Sequence, residues 1–407
     1  MRTLNKASAG LVALLLAATM AACGDDDSDD ATGTTSSTAG TGTTGAVSLA
    51  ADSFTADFSA MAQLKSLAAQ GKGKIAVLLP DTTTSARYES FDRPYLTQAF
   101  EAAGLTSADF KIDNAQGSAS TMQTQAEAAI TEGASVLLVD ALDSGSGAAI
   151  EANAVSKGVK VIDYDRLVKG GAAGRTYVSF DNVKVGQLIG QGLVDCISAW
   201  NVQSPNVLVM NGDPTDNNAS LFAQGYNGVL KPFFDNKTYV KAGEPAGTWT
   251  PSVAATTFDQ QYTANRSINA AITPNDDNAN AVIASLQKLK IPAMTFPTTG
   301  QDASLSGLQN ILKGYQCGTV YKPIYLQAQG AAAVALYLRA GQTPPAALVN
   351  GTTPDPSDNS DVPSVLLTPV WVTAKNMQAT VVKDGAVKVS DLCISELAKA
   401  CADAGIS

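Results

Sequence analysis

Short apolar-rich runs recur along this chain, the first of them continuous, and alternate with stretches that read as helices. Lys74 to Pro80 reads KIAVLLP, Ser135 to Ala141 SVLLVDA, Val159 to Tyr164 VKVIDY and Thr176 to Phe180 TYVSF. A strand with one face in water alternates polar and apolar residues. A run that does not alternate needs both faces covered, as in a parallel sheet flanked by helices. The covering segments are present: Leu96, Ala99, Phe100 and Ala103 share one helical face, and Met122, Ala126, Ala129 and Ile130 share another.

The rhythm restarts after Asp181, with a helix over 182–200, a strand at Asn206 to Asn211 and a helix through Leu221, Gly225 and Leu230. Further strands are expected near Tyr239 to Ala242, Ala271 to Thr273, Ala293 to Phe296, Thr319 to Tyr321 and Val365 to Thr373. A chain of 407 residues also exceeds the roughly 250–300 that one core accommodates. The fold class is therefore α/β, with two similar doubly wound parallel-sheet lobes. Thr343 to Pro363, rich in proline and acid, reads as an exposed connection, and Phe54 to Leu67 as an amphipathic docking helix.

Ahead of the lobes, Arg2 and Lys6 precede an apolar run from Leu11 to Ala18 and then Met20-Ala21-Ala22-Cys23, the pattern of a secretion signal. That run is too short to span a membrane comfortably. Cys23 after two alanines resembles a bacterial lipobox, in which the cysteine is acylated and becomes the mature N-terminus. Gly24 to Val47 has almost nothing to bury and reads as a disordered tether, with a reach of roughly 25–30 Å. A net charge of -10 argues against nucleic acid as a partner, and the absence of histidine removes imidazole catalysis and most zinc or copper chemistry. Cys196, Cys317, Cys393 and Cys401 allow three disulfide connectivities in an oxidising compartment, with Cys393–Cys401 the pair to test first.

In open α/β sheets, ligands sit beyond the carboxyl ends of the strands, where loops converge and helix N-termini point outward. Those positions hold Asp81 through Arg87 and Tyr88, Asp165-Arg166, Asp213 through Asp216-Asn217-Asn218, Asn275-Asp276, Gln301-Asp302 and Lys322. Asp and Asn there also serve as helix caps, which is the commoner use of any one of them. Capping does not account for Arg87, Arg166 and Lys322, because a cation at a helix N-terminus opposes the macrodipole. Converging carboxylates, amides and guanidinium groups suit a polyhydroxyl ligand, whose hydroxyls must all be paired once dehydrated. Tyr88 and Trp249 could cover the C–H faces of such a ligand, although core packing is an equal use for Trp249.

Between Lys74 and Gly341, and again from Val362 to Val389, the chain resembles the xylose-binding branch of the type I periplasmic sugar-binding protein family. The matching segments are ARY at 86–88, YDR at 164–166, SFDNVKVG at 179–186, DNNASLF at 216–222, GQDASLSG at 300–307, TVYKP at 319–323 and VPSVLLTP at 362–369. The resemblance implies two lobes joined by a three-strand hinge and closing on one monosaccharide. The ligand implied is D-xylose or a related pentose or hexose. It would be presented to the membrane subunits of an ABC permease by a monomeric, cofactor-free receptor that is not an enzyme. By position, it assigns hydrogen bonding to Arg87, Asp165, Arg166, Asp216, Asn218, Asn275, Asp302 and Lys322, and stacking to Trp249. Tyr88 stands where the family tends to place tryptophan.

The expected layout is a signal peptide over 1–22, a lipidated tether over 23–48 and an N-terminal helix within 49–72. The first lobe takes 73–184 and 322–355, and the second 185–321 and 356–407. Such a receptor is extracytoplasmic and lipid-anchored to the membrane. Two alternatives use the same residues: a receptor for a sensor kinase or chemoreceptor, and a glycoside-processing enzyme built on Asp276 and Asp302. The oxygen-rich stretches Asn275 to Asn278 and Asp355 to Asp361 lack the spacing of a known calcium loop and read as solvated turns.

Overall fold

The computed structural model describes residues 49–82, 85 and 87–407, so the signal segment, Cys23 and the tether lie outside the described residues. Where one amphipathic helix is expected, the chain forms a 3-10 turn, Ser59–Leu64, and a single α-helical turn, α1 (Lys65–Ala68). Asp57 accepts from the hydroxyl of Thr55 and the amide of Ser59, and Phe58 takes a positive φ of 60°. These local bonds compete with a continuous helix. Met61, Leu64 and Leu67 are nevertheless buried.

The first lobe is built on β1 (Lys74–Leu79), β2 (Phe110–Asn114), β3 (Ala134–Val139), β4 (Lys160–Tyr164) and β5 (Thr176–Phe180). Helices α2 (Arg93–Ala102), α3 (Ala119–Thr131) and α4 (Ser144–Ser156) alternate with these strands. After β5 the chain enters the second lobe through α5 (Asn182–Ala199), followed by β6 (Asn206–Val209), α6 (Asn217–Asp235), β7 (Val240–Gly243), α7 (Pro251–Ala264), β8 (Ala270–Ile272), α8 (Asp276–Lys288), α9 (Leu305–Leu312) and β9 (Thr319–Tyr321). Helix α10 (Ile324–Arg339) returns to pack on the first sheet, β10 (Gly351–Pro354) and β11 (Asp361–Leu367) join that sheet, and β12 (Val370–Val372) pairs with β9. The tail adds α11 (Val389–Leu392) and α12 (Ala398–Asp403).

The first sheet runs β10-β11-β5-β4-β3-β1-β2, parallel except for the β10–β11 pair. In the second lobe β7-β6-β8 are parallel, and single bridges, Ala271 with Thr298 and Gln301 with Val320, carry the order on to β9 and β12. The two lobes therefore repeat one strand order. The strand expected at Ala293 to Phe296 does not form there. Pro292 and Pro297 lack the amides a ladder needs, and pairing begins at the Pro297 carbonyl, which accepts from Ala271. Helices α5 and α6 cross with backbones nearly touching, since a Cβ on Gly186 would lie 2.1 Å from the Phe222 carbonyl oxygen.

The chain crosses between lobes at Asp181, at Lys322-Pro323 and at Thr368-Pro369. The third crossing corrects the expected boundary after 355, because β11 pairs in parallel with β5, setting Leu367 opposite Phe180. The expected exposed connection also contains β10, and Asp355 in it is buried. Its Oδ2 accepts from Arg175 Nη2 at 2.7 Å and from the Gly170 amide at 2.8 Å, so Asp355 itself is not solvated, whereas 356–361 are exposed as expected. Asn275, Asp276 and Asn278 are likewise buried, correcting the same expectation for that stretch.

Disulfides join Cys196 on α5 to Cys317 before β9, and Cys393 to Cys401 in the tail. The first bridges a sequence separation of 121 and the second one of 8. Loop-closure entropy makes the long cross-link worth about 4–5 kcal/mol and the short one about 2.5 kcal/mol. Equilibrium denaturation of the two double-serine variants is expected to show the larger loss for Cys196→Ser/Cys317→Ser; the reverse order would contradict this account.

Candidate functional site

At the carboxyl ends of the strands the lobes enclose a pocket of about 340 Å3, its mouth included. It is lined by Arg87, Tyr88, Asp165, Arg166, Asp216, Asn218, Trp249, Asn275, Asp302 and Lys322, so every residue singled out for binding in the sequence reaches one place. Ser85, Phe222 and Gln301 complete the lining. Gln301 is already among the strand-end positions, and Phe222 lies inside the DNNASLF segment, which is the signal that could have found it.

Arg87 sits just before the turn into α2, and its guanidinium makes four hydrogen bonds within the protein. Nε and Nη2 grip the two oxygens of Asp92 at 2.9 and 2.7 Å, Nη1 donates to Asp165 Oδ1 at 2.9 Å, and Nη2 also donates to Gln327 Oε1 at 3.0 Å. Tyr88 donates to Asp165 Oδ2 at 3.4 Å and accepts from Arg166 Nη2 at 3.1 Å. Both guanidinium groups approach its ring, at 5.3 and 5.8 Å from the centroid. The hydroxyl that distinguishes Tyr88 from a tryptophan thus has partners inside the site.

Arg166 carries the network across the lobes. Its Nη1 donates to the Ala141 carbonyl at 3.1 Å, while Nε lies 3.3 Å from Asp216 Oδ2 in the second lobe and 3.5 Å from Asp140 Oδ1 in the first. Asp216 caps α6 through the Asn218 amide at 2.8 Å and accepts from Trp249 Nε1 at 3.0 Å. Capping and pocket lining are therefore two uses of one side chain. Trp249 meets Phe222 edge to face at 6.4 Å, giving the pocket an aromatic wall. Asn275 caps α8 through the Asn278 amide at 2.9 Å, and Lys322, on the second crossing, lies 3.1 Å from Asp302 Oδ1.

Asp165 is held at φ 64° and Asp302 at φ 91°, a region non-glycine residues rarely adopt and one that turns both side chains out of their strand directions. Burial alone would raise the Asp165 pKa, but Arg87, Lys322 and Arg166 together outweigh it and hold the carboxyl well below its usual range. Burial raises Asp216, which Arg166 only partly offsets, and pushes Asp140 well above its ordinary value. The site thus sets Arg87, Arg166 and Asp165, whose neighbours favour their charged forms, beside Asp140 and Asp216, which burial shifts the other way. Asp140, Asp92 and Gln327 went unnoticed in the sequence. Asp140 closes an apolar run, and Gln327 hides in the apolar helix α10.

Asp276 does not line this pocket. Its oxygens accept from Gln316 Nε2 at 2.8 Å and from the Ser304 amide at 2.7 Å. It lines a neighbouring pocket instead, one wall of which is Asp302, shared with the pocket described above.

Residues 57–343 match the family model described as periplasmic binding protein domain. The chain is 37% identical over 305 residues to the D-xylose-binding periplasmic protein of Escherichia coli, covering 74% of this chain and 87% of that one. It is 31% identical over 343 residues to a multiple sugar-binding periplasmic receptor of Rhizobium radiobacter, covering 80% and 93%. Among solved structures, a carbohydrate transporter solute binding protein from Chloroflexus aurantiacus in complex with D-glucose superposes with a TM-score of 0.69 at 27% identity, covering 78% of this chain and 97% of that one.

Burial, partly countered by Gln316 and reinforced by Asp302, lifts Asp276 from an ordinary 3.8 to about 7. The folded protein therefore keeps a proton there that the unfolded chain releases. This stabilisation is full below about pH 4 and is lost as pH rises through about 7. We expect Asp276→Asn to remove that slope: between pH 4 and 8 the parent should lose up to about 4 kcal/mol more unfolding free energy than the variant. Parallel pH profiles in urea denaturation would refute this.

Proposed function

This chain belongs to the periplasmic binding protein family, and we propose that it is an extracytoplasmic receptor that captures a monosaccharide, D-xylose or a related pentose or hexose, and delivers it to an ABC sugar permease. The observation that carries this reading is the convergence of ten polar and aromatic side chains from both lobes in one buried pocket. Arg166, Lys322, Asp165 and Asp302 offer charge-assisted donors and acceptors to hydroxyls, and Trp249 with Phe222 offers an apolar face. The names of the two relatives described above, both sugar-binding, support the ligand class. The same names describe binding proteins, which favours a receptor over a hydrolase.

Lipidation of Cys23 would tether this receptor to the membrane, with 24–47 as a spacer. Cys23→Ser is expected to move the protein from the detergent phase to the aqueous phase while leaving sugar affinity unchanged. Retention in the detergent phase would exclude the anchor.

A micromolar pentose complex requires about 0.8 kcal/mol per heavy atom, attainable only when nearly every hydroxyl is paired. Calorimetry against a panel of pentoses and hexoses is expected to find D-xylose or a close pyranose bound at micromolar or tighter affinity and recovered unchanged. Arg166→Ala and Lys322→Ala should each weaken binding about ten- to a hundredfold. Lys111, exposed on β2 and paired with Asp113, is the control in which alanine changes nothing. If both variants fold and bind like the parent, the assigned site is wrong.

A further inference from the structure

The family match ends at residue 343, yet the chain continues into a stapled tail that reaches back to the hinge. The tail packs Met377, Val381, Leu392, Leu397 and Cys401 against Ala303, Leu308 and Ile311, so it rides with the second lobe. Its turn after Val382 is fixed by backbone bonds, with the Asp384 amide donating to Thr380 and the Ala386 amide to Val381, both at 2.9 Å. The Ser407 amide closes the tail onto Gln378 Oε1 at 3.1 Å. Asp384 is thereby held in place and is not a loose side chain at a chain end.

One oxygen of Asp384, Oδ2, accepts two phenol hydroxyls, from Tyr321 at 3.3 Å and Tyr325 at 3.2 Å. Those tyrosines flank the Lys322-Pro323 crossing. Tyr321 ends β9, paired with β12 in the second lobe, whereas Tyr325 lies in the first turn of α10, with its ring edge-on to Tyr95 of α2. The bond to Tyr321 stays within the second lobe and aims the carboxylate. The bond to Tyr325 spans the lobes. Burial first, and then the charge of Asp384, raises both phenols, Tyr325 to about 12, so both remain donors at any physiological pH.

The lobes are drawn together in this arrangement. Arg166 meets Asp216, Asn218 Nδ2 donates to the Asp165 carbonyl at 2.8 Å, and Lys169 Nζ donates to the Pro214 carbonyl at 3.1 Å, all from one lobe to the other. Rotation about the crossing would change the separation of Tyr321 and Tyr325, and a single acceptor oxygen cannot follow both.

We propose that Asp384 is a positioning residue that clasps the hinge in its closed arrangement and so sets how slowly the site releases its ligand. The effect on release rests on the sugar-receptor reading above; the clasp itself is a property of the hinge and can be tested without ligand.

The test uses the lipid-free mature chain carrying Glu127→Cys on α3 and Lys288→Cys on α8, exposed sites on opposite lobes, labelled for single-molecule energy transfer. Without ligand, Asp384→Asn and Tyr325→Phe should each shift the population toward longer inter-lobe distances. Tyr321→Phe should shift it less, and Asp384→Glu should restore much of the parent distribution. With the best-bound panel sugar, stopped-flow should show dissociation about five- to tenfold faster in Asp384→Asn and Tyr325→Phe, with association unchanged. A tail that merely covers the second lobe would move the melting midpoint but not the distances. Distance distributions in both folded variants that match the parent's would overturn the clasp. If the parent binds no panel sugar, the receptor reading fails, and the ligand-free distances still decide the clasp.

Discussion

Everything in the cleft is organised around the backbone and carboxylate of Asp165. Its carbonyl accepts from three side chains at once, Tyr177 at 3.0 Å, Ser179 at 2.8 Å and Asn218 at 2.8 Å, the last from the opposite lobe. Its carboxylate accepts from Arg87 at 2.9 Å and faces Tyr88. The positive φ of the residue makes this possible, because it turns the carbonyl toward the hinge and the carboxylate into the pocket. Such a conformation is costly, and it persists only where the surroundings over-determine it. Seven hydrogen-bond partners do so here, since Gln327 also donates to the carboxylate and the Val178 carbonyl accepts from the amide.

Removing one member of a buried pair such as Arg87 and Asp165 leaves a charge stranded, typically at a cost of about 3–5 kcal/mol. That cost explains why the cations are shared. Arg87 serves Asp92, Asp165 and Gln327, while Arg166 serves Tyr88, Asp216 and Asp140. The pocket side chains are oriented by protein partners before any ligand arrives, so little rotamer entropy remains to be lost on binding. What a ligand finds is a set of fixed dipoles and charges, which suits a molecule whose hydroxyls have fixed stereochemistry.

Most of the first lobe was legible in the sequence because its strands are buried on both faces. KIAVLLP declares itself by refusing to alternate, and the strand-end rule then located nine of the ten residues singled out for binding, Trp249 being reached as an aromatic cover for the ligand. The failures share a different cause. β10 and the Pro297 region are edge or irregular segments, where partners distant in sequence decide pairing and local pattern carries no information. Asp92 and Gln327 escaped because each reads locally as a helix position. Their role comes from Arg87, 5 and 240 residues away. The Cys196–Cys317 bridge was one of three possibilities until the fold brought α5 beside β9.

The connections between the lobes turn these local facts into a receptor. The chain crosses at Asp181, at Lys322-Pro323 and at Thr368-Pro369, and the second crossing carries a residue of the pocket itself. Arg87, Tyr88, Asp165 and Arg166 arrive from the first lobe, and Asp216, Asn218, Trp249, Asn275 and Asp302 from the second. Neither half alone could satisfy a small polyhydroxyl ligand, so in the receptor proposed above the free energy of occupancy is linked to that of closure. The cross-lobe bonds between protein groups, Arg166 with Asp216 and Asn218 with Asp165, add to closure on their own account. Affinity in such a molecule is therefore a property of the hinge as much as of the pocket, and residues that never touch the ligand can tune it.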